Sequence, residues 1–214
     1  MSEQTSEPIS HLPAPQAWPG FPRTDPPAVS FVPSEAECLE LWDVYGMLPN
    51  VRAHSLLVGH MASSLAEAAT LAGLAVHVAA VRAAALLHDL AKTYTIRYGG
   101  NHCQLGGAWV QELTGNPTVA QGVIHHVYWP GKVDIRAHFL PLTIIYSDKR
   151  VKHNQIVSLE GRFDDLLVRY GKTADIRARI RKSFQQAERI EKALAETLGM
   201  ELHERTFGCR RLVG

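Results

Sequence analysis

The sequence predicts an all-α protein, and three observations lead to this prediction. Between residues 50 and 73, apolar side chains recur at alternating steps of four and three, which places them on one helical face. Residues 83–87 are apolar in every direction, as expected of a buried helix. No segment of the sequence shows a convincing alternation of apolar and polar residues, so we expect helices packed on helices.

The predicted helices follow one another from residue 34 to about residue 198. Ser34 and Glu37 fit a capping box, so the first helix should begin after Ser34 and run to about residue 46. The next helix should be capped by Asn50, a loop is expected at Gly99, and Gly199 is a stop signal for the last helix. The helices predicted after the first cover residues 50–73, 76–92, 102–114, 117–128, 137–153, 158–170 and 174–198.

Two tails are predicted to flank a helical domain of residues 33–200. Residues 1–32 form an extended Pro-rich N-terminal tail, because each proline fixes φ and removes a backbone donor. This tail either packs on the domain through Trp18, Phe21 and Phe31 or serves as a flexible linker. Residues 201–214 form a second tail at the C-terminal end.

Composition and charge exclude several classes of protein. The chain has 214 residues, of which 46% are apolar, so it can bury a sizeable core. A net charge of +1 makes nucleic acid an unfavoured partner. Three widely spaced cysteines without a CxxC pair argue against a disulfide framework and against a thiolate zinc site. No run approaches about 20 apolar residues, so we expect no membrane span and a cytoplasmic protein.

The candidate chemistry begins with the pair His88-Asp89, which lies within the buried helix predicted at residues 76–92. Two ionisable groups placed there without partners would cost several kcal/mol. Hydrogen bonds, a salt bridge or a metal ion could offset this cost. On its own, the pair is equally consistent with a structural role and with a metal site.

Other ligand-type residues lie on the inward faces of successive helices. They are His54, His102, His126 and Asp148. A single such histidine is usually a core residue with a hydrogen-bond partner. Several on separate helices are hard to satisfy by hydrogen bonds alone, whereas a shared cation binds imidazole and carboxylate naturally.

The order His54, His88-Asp89, Asp148 resembles the motif of the HD-domain metal-dependent phosphohydrolase superfamily. Residues 50–55, 84–92 and 146–151 are similar to the segments that carry this motif, and the resemblance covers roughly residues 48–155. It implies an HD-domain helical bundle. It also implies an enzyme that cleaves a phosphate ester or anhydride with a metal-activated water.

Two further histidines occupy the positions at which di-metal members of the superfamily carry additional ligands. The nearest ligand pattern is that of HD-type diadenosine tetraphosphate hydrolases, which are similar at His54, His88, Asp89, His102, His126 and Asp148. Residues 156–163 do not match this subgroup, so the substrate stays open among nucleotides and related phosphates.

The resemblance implies two divalent metal ions, with iron or manganese expected from the mixed histidine and carboxylate set. One ion would take His54, His88, Asp89 and Asp148. The second would take His102 and His126, with Asp89 bridging both ions as a catalytic residue. His125 is a further candidate, as a ligand, as a hydrogen-bond donor behind the ligands, or as a surface residue.

Phosphate recognition needs cations beside the metal ions. Lys92 follows Asp89 by three residues and His88 by four, so it shares their helical side; it is the first candidate and, with Asp89, a candidate catalytic residue, with a solvated or salt-bridged role as its alternative. The other candidates are Arg52, Lys149, Arg150 and Arg162, each of which has a solvated or salt-bridged role as its alternative.

Several residues are set aside by the same reasoning. His60, His77, His138 and His153 match no motif position and are expected at the surface or at helix ends. The basic residues of the last helix, including Arg179, are expected on a solvated face, and Cys103 is expected only to pack.

The sequence thus predicts a phosphohydrolase whose substrate is a nucleotide-like small molecule. Three alternatives to this function remain open. They are a di-iron oxygenase on the same scaffold, a non-catalytic nucleotide sensor, and a purely structural bundle. A homo-oligomer is also left open.

Overall fold

The computed structural model describes residues 30–202, in which the regular elements are helices apart from one short pair of strands. The elements are α1 Glu35–Val44, α2 Pro49–Leu71, α3 Val78–Leu87, α4 Lys92–Tyr98, α5 His102–Thr114, α6 Pro117–His125, α7 Phe139–Arg150, β1 Val151–Lys152, β2 Gln155–Ile156, α8 Leu159–Tyr170 and α9 Ala174–Leu198. The predicted all-α fold is confirmed.

Local capping explains where most of these helices begin and where α9 ends. Ser34 and Glu37 form the predicted capping box at α1, and Gly199 ends α9 in the left-handed conformation. The cap predicted for α2 is wrong, because Leu48 occupies the cap position and Asn50 lies within the helix. Pro49 starts α2 because its fixed φ suits a first helical position and its missing N–H needs no partner there.

The helix predicted at residues 76–92 is wrong at its C-terminal end. α3 stops at Leu87, so His88-Asp89 lies at the end of a buried helix and not in its middle. The amide groups of Leu90 and Lys92 donate to the carbonyl groups three residues earlier, which makes a tight turn before α4. The apolar pattern continues through this turn because Leu90 and Ala91 are themselves buried, so periodicity does not reveal it.

A second departure lies after α7. The helix predicted to reach residue 153 ends at Arg150, and a short antiparallel hairpin pairs Val151 with Ile156. At the tip of this hairpin, His153 has a φ of 56°, which is uncommon for a residue other than glycine. α6 likewise ends at His125, three residues before the predicted end.

α3 lies at the centre of the bundle and packs against α1, α2, α6 and α7. Gly122 on α6 allows this packing, because a Cβ there would lie 2.6 Å from Leu140 Cδ2 and 3.0 Å from Ala84 Cβ. Gly107 on α5 has the same role toward α6, since its Cβ would lie 2.1 Å from a carbon of Ile124. The close approach of α5, α6 and α3 brings together the helix ends that carry the candidate ligands.

The ends of the described chain bear on the predicted tails. Phe31 donates its amide proton to the Thr114 carbonyl at 3.0 Å and accepts from Asn116 Nδ2 at 3.2 Å, so this residue is attached to the α5–α6 connection. Residues 1–29, with Trp18 and Phe21, and residues 203–214 lie outside the described part. No helix within residues 30–202 has the length and apolar character that a membrane crossing requires.

Candidate metal centre

His88 and His126 are placed by the same local device. Each is the first residue after the end of its helix, α3 or α6. In each ring Nδ1 lies 2.7 Å from the carbonyl oxygen three residues earlier, Ala85 O for His88 and Val123 O for His126. The free carbonyl groups at a helix end accept this bond, which orients the ring and directs Nε2 inward.

The first cluster joins α2, the end of α3 and α7. His54 Nε2 lies 2.9 Å from Asp148 Oδ1, and His88 Nε2 lies 3.9 Å from the same oxygen. The other oxygen of Asp148 faces Lys149, whose Nζ lies 2.5 Å from Oδ2. Asp148 therefore presents one oxygen to the two imidazole rings while a buried ammonium group holds the other.

The second cluster joins the end of α6 and the start of α5. His102 Nε2 and His126 Nε2 lie 3.2 Å apart, and Asp89 Oδ1 lies 3.3 Å from the first and 3.5 Å from the second. Asp89 Oδ2 instead lies 3.7 Å from His88 Nε2. The two oxygens of Asp89 thus face the two different clusters.

Burial and mutual charge shift the pKa values of these groups. Burial lowers the pKa of His88 to about 4, so this imidazole is neutral at pH 7. Burial would raise the pKa of Asp89, but His88, His126 and Lys92 together hold it well below its usual range. Burial would also lower the pKa of His126, but the adjoining Asp89 and Cys103 raise it, so an ion bound there must displace a proton.

The pKa of Asp148 follows the same logic. Burial would raise it, but Lys149 and His54 hold it well below its usual range. Both aspartates are therefore ionised and His88 is neutral, as metal ligands must be, whereas His126 has to lose its proton before it binds an ion.

The residues present fit divalent metal ions. Three overlapping groups of residues could each hold an ion, because within each group the ligand atoms lie within 4.8 Å of one another. The groups are His102 with Cys103 and His126, His54 with His88 and Asp148, and His88 with Asp89 and His126. His88 Nε2 and Asp89 Oδ1 are buried without a well-formed hydrogen bond. Such atoms are costly unless a partner satisfies them, and a cation shared between them does so.

A pocket of about 630 Å³ opens onto both clusters. Its cationic lining residues come from four helices and are Lys92, Lys149, Arg162, Arg169 and Arg179. Its large apolar lining residues are Val51, Ile96, Val127, Phe163, Leu166, Tyr170, Ile176 and Ile180. The pocket therefore combines a His/Asp centre, several cations and an apolar wall.

Three candidates from the sequence lie away from this pocket. Arg52 binds the α1–α2 connection, with its Nε 2.8 Å from Met47 O and a guanidinium nitrogen 3.0 Å from Trp42 O. Arg150 is buried, and its guanidinium group contacts Tyr146, Glu191 and backbone carbonyl groups. His125 is outside the three clusters, and its ring packs edge-on against Trp129 with centroids 5.1 Å apart.

Sequence reasoning missed other residues of the site. Arg169, Arg179 and His153 line the pocket, although Arg179 is expected on a solvated face and His153 at the surface. Cys103 Sγ lies 3.6 Å from His102 Nε2 and 3.9 Å from His126 Nε2, although the sequence predicts only a packing role. His77 does cap a helix end, as expected, since its ring accepts from the Ala80 amide.

Together the fold and the centre define a helical protein with an internal site suited to divalent metal ions. A family model of the HD domain matches residues 51–182, which is more than half of the chain. The chain therefore belongs to the HD domain family, whose members are generally metal-dependent hydrolases acting on phosphates. No curated protein and no solved structure matches the chain significantly.

Proposed function

We propose that this protein is a metal-dependent phosphohydrolase that cleaves a phosphate ester or anhydride of a nucleotide-like substrate. The observation that carries the proposal is the position of Asp89. Its two oxygens face two separate ligand clusters, and it lines a pocket whose walls carry cations. A bridging carboxylate beside a cationic pocket is the arrangement that two-metal phosphate chemistry needs.

The proposed ligands follow the two clusters. His54, His88, Asp89 and Asp148 would hold one ion. His102 and His126 would hold the second, with Asp89 shared. When bound, two such ions supply a water of lowered pKa and positive charge for the oxygens of the reacting phosphate. The mixed imidazole and carboxylate set suits iron or manganese.

Lys92 is the proposed phosphate contact closest to the centre. Its Nζ lies 3.2 Å from His102 Nε2 and 3.7 Å from Asp89 Oδ1, and about a third of its side chain is exposed to the pocket. An ammonium group at this place can hold a phosphate oxygen beside the ions and stabilise the charge that develops during cleavage.

The α8 wall of the pocket carries a surplus of positive charge. Asp165 is the shared partner of Lys152 at 3.3 Å, Arg162 at 3.4 Å and Arg169 at 3.7 Å. One carboxylate does not neutralise Arg162 and Arg169, the two members of this group that line the pocket, and Arg162 Nε is buried without a hydrogen-bond partner among the described residues. This wall is therefore suited to a further anionic group of the substrate.

Size and apolar character favour a nucleotide-like molecule over a small phosphate. Pockets for small organic ligands are typically about 300–1,000 Å³, and this pocket has about 630 Å³. The rings of Phe163 and Tyr170 line it and offer apolar surface to a base.

The test is metal analysis combined with phosphate release from a nucleotide panel, performed with and without oxygen. The wild type should bind divalent ions and release phosphate anaerobically, whereas Asp89→Ala should lose metal and activity together. Asp164→Ala, which removes an exposed carboxylate from α8, is the matched control and should retain both. Full activity in Asp89→Ala, or turnover that requires oxygen, would refute the proposal.

A further inference from the structure

The start of α5 places a thiol beside two imidazole rings. Asn101 caps this helix by accepting from the amide groups of Cys103 and Gln104, at 3.0 and 3.3 Å. The cap fixes the first helical turn, in which His102 and Cys103 are adjacent. Cys103 is buried, forms no disulfide within residues 30–202, and lies with its sulfur 3.6 Å from His102 Nε2.

We propose that Cys103 is a fourth protein ligand of the second ion, bound as a thiolate together with His102, His126 and the shared Asp89. This inference rests on the proposed metal centre and adds a ligand to it. It also changes the class of ion that the second site would select.

The spacing of the three donor atoms supports the assignment. Metal–nitrogen bonds of about 2.0–2.1 Å and metal–sulfur bonds of about 2.3 Å place the ligand atoms of a tetrahedral ion roughly 3.3–3.7 Å apart. The two imidazole nitrogens are 3.2 Å apart, and the sulfur lies 3.6 Å from His102 Nε2 and 3.9 Å from His126 Nε2. Each distance agrees with the expected spacing to within a few tenths of an ångström.

A second observation, independent of the thiol, points to the same place. Asp89 is more than nine-tenths buried, and its Oδ1 has no well-formed hydrogen bond. This oxygen lies 3.3 Å from His102 Nε2 and 3.5 Å from His126 Nε2. A buried acceptor aimed at two ligand nitrogens is what a bound cation would satisfy.

Binding through sulfur is balanced by loss of the thiol proton. The S–H bond of Cys103 breaks, the proton goes to solvent, and the sulfur lone pair forms the bond to the ion. No change of oxidation state is involved.

The consequence is a chemically asymmetric centre. The first site offers only nitrogen and oxygen donors, whereas the second would add a soft thiolate, which favours zinc or ferrous iron over manganese or magnesium. The structure thus assigns thiophilic divalent ions to the His102 side of the centre.

Cobalt provides the test, because a thiolate bound to Co²⁺ gives a charge-transfer band in the near ultraviolet. The full chain loaded with two equivalents of Co²⁺ should show this band, and Cys103→Ser should lose it. Cys38→Ala is the control, since Cys38 lies in the apolar core on α1, and this variant should keep the band. A band that persists in Cys103→Ser, or is missing from wild type that has bound two ions, would overturn the inference.

Two further measurements keep the test independent of variant folding and of the proposed function. X-ray absorption of the zinc-loaded wild type should show a sulfur neighbour at about 2.3 Å, and a shell of nitrogen and oxygen alone would overturn the inference. Cys103→Ser should weaken zinc binding at one site at least about tenfold while manganese binding changes much less. If the wild type binds two ions and releases phosphate but shows no sulfur signal, only the thiolate ligand is rejected. If the wild type binds no ion, the proposed phosphohydrolase function is rejected as well.

Discussion

Arg150→Met removes a buried guanidinium group that joins α7 to the C-terminal part of the chain. Arg150 Nε donates to Val157 O at 2.5 Å, and Nη1 donates to Leu202 O at 3.1 Å. Nη1 also lies 3.2 Å from Glu191 on α9 and contacts the Tyr146 hydroxyl group. Methionine can fill the apolar part of the site but is shorter and donates no hydrogen bond, so Val157 O, Leu202 O and Glu191 all lose this donor.

The size of the effect follows from the exposure of the partners. Breaking a buried ion pair typically costs about 3–5 kcal/mol, because the remaining charge is left without a partner. Glu191 keeps the hydrogen bond from the Tyr146 hydroxyl group at 2.6 Å, and its side chain is 33% exposed, so its charge is compensated in part. We therefore expect a loss of roughly 2–4 kcal/mol, or a fall in melting temperature of roughly 5–15 °C for a chain of this length.

Thermal denaturation followed by circular dichroism measures this loss, and substrate kinetics provide the second readout. Lys192→Met is the control, because Lys192 is 79% exposed on α9 and its only close partner among the described residues is Glu196, one turn away. It should shift the free energy of unfolding by less than about 0.5 kcal/mol. If Arg150→Met melted like the wild type but raised KM more than tenfold, the phosphate-contact hypothesis from the sequence would be right and this reasoning would fail.

Three more predictions follow from the structure. Gly122→Ala should lower the free energy of unfolding by about 1–3 kcal/mol in urea denaturation, because the new methyl group meets side chains of two other helices. Gly161→Ala is the control: its Cβ would meet no atom closer than 3.5 Å, so the free energy of unfolding should change by less than about 1 kcal/mol. Lys92→Ala should lower kcat roughly 10- to 1000-fold with unchanged metal content, and loss of metal would contradict its assignment as a phosphate contact. Despite burial, Lys149 helps to hold the pKa of Asp148 well below its usual range, so this carboxylate stabilises the fold above about pH 4 and stops doing so on acidification. Asp148→Asn should therefore flatten the fall in melting temperature of the metal-free protein between about pH 5 and pH 3, and an unchanged slope would count against this pairing.

Periodicity and capping residues were sufficient to predict most of the helices. The stripe along α2 and the signals at Ser34 and Gly199 act within a few residues of the chain, so a single sequence contains them. The turn at His88-Asp89 was not predictable in this way. Its geometry depends on backbone hydrogen bonds beneath buried apolar side chains that look helical in sequence.

The candidate site likewise has a part that the sequence predicted and a part that it did not. Inward helical faces predicted that six ligand-type residues would meet, and the structure places all six within two adjoining clusters. The cationic wall was not predictable, because Arg169 and Arg179 reach the pocket only through the way α8 and α9 pack on the rest of the bundle. Arg150 was predicted to contact phosphate but lies away from the pocket. Its partners could not be predicted because they lie up to 52 positions away in the sequence.

The termination of α3 and α6 directly at their histidines has an electrostatic consequence. Aligned peptide dipoles give a helix a partial negative charge at its carboxyl end. Two such ends, with Asp148 in the last turn of α7, converge on the space between the imidazole rings. These two carboxyl ends contribute an attraction for a cation there, opposed in part by the positive amino end of α5 at His102, and unwinding α3 or α6 would remove that contribution even with every ligand intact.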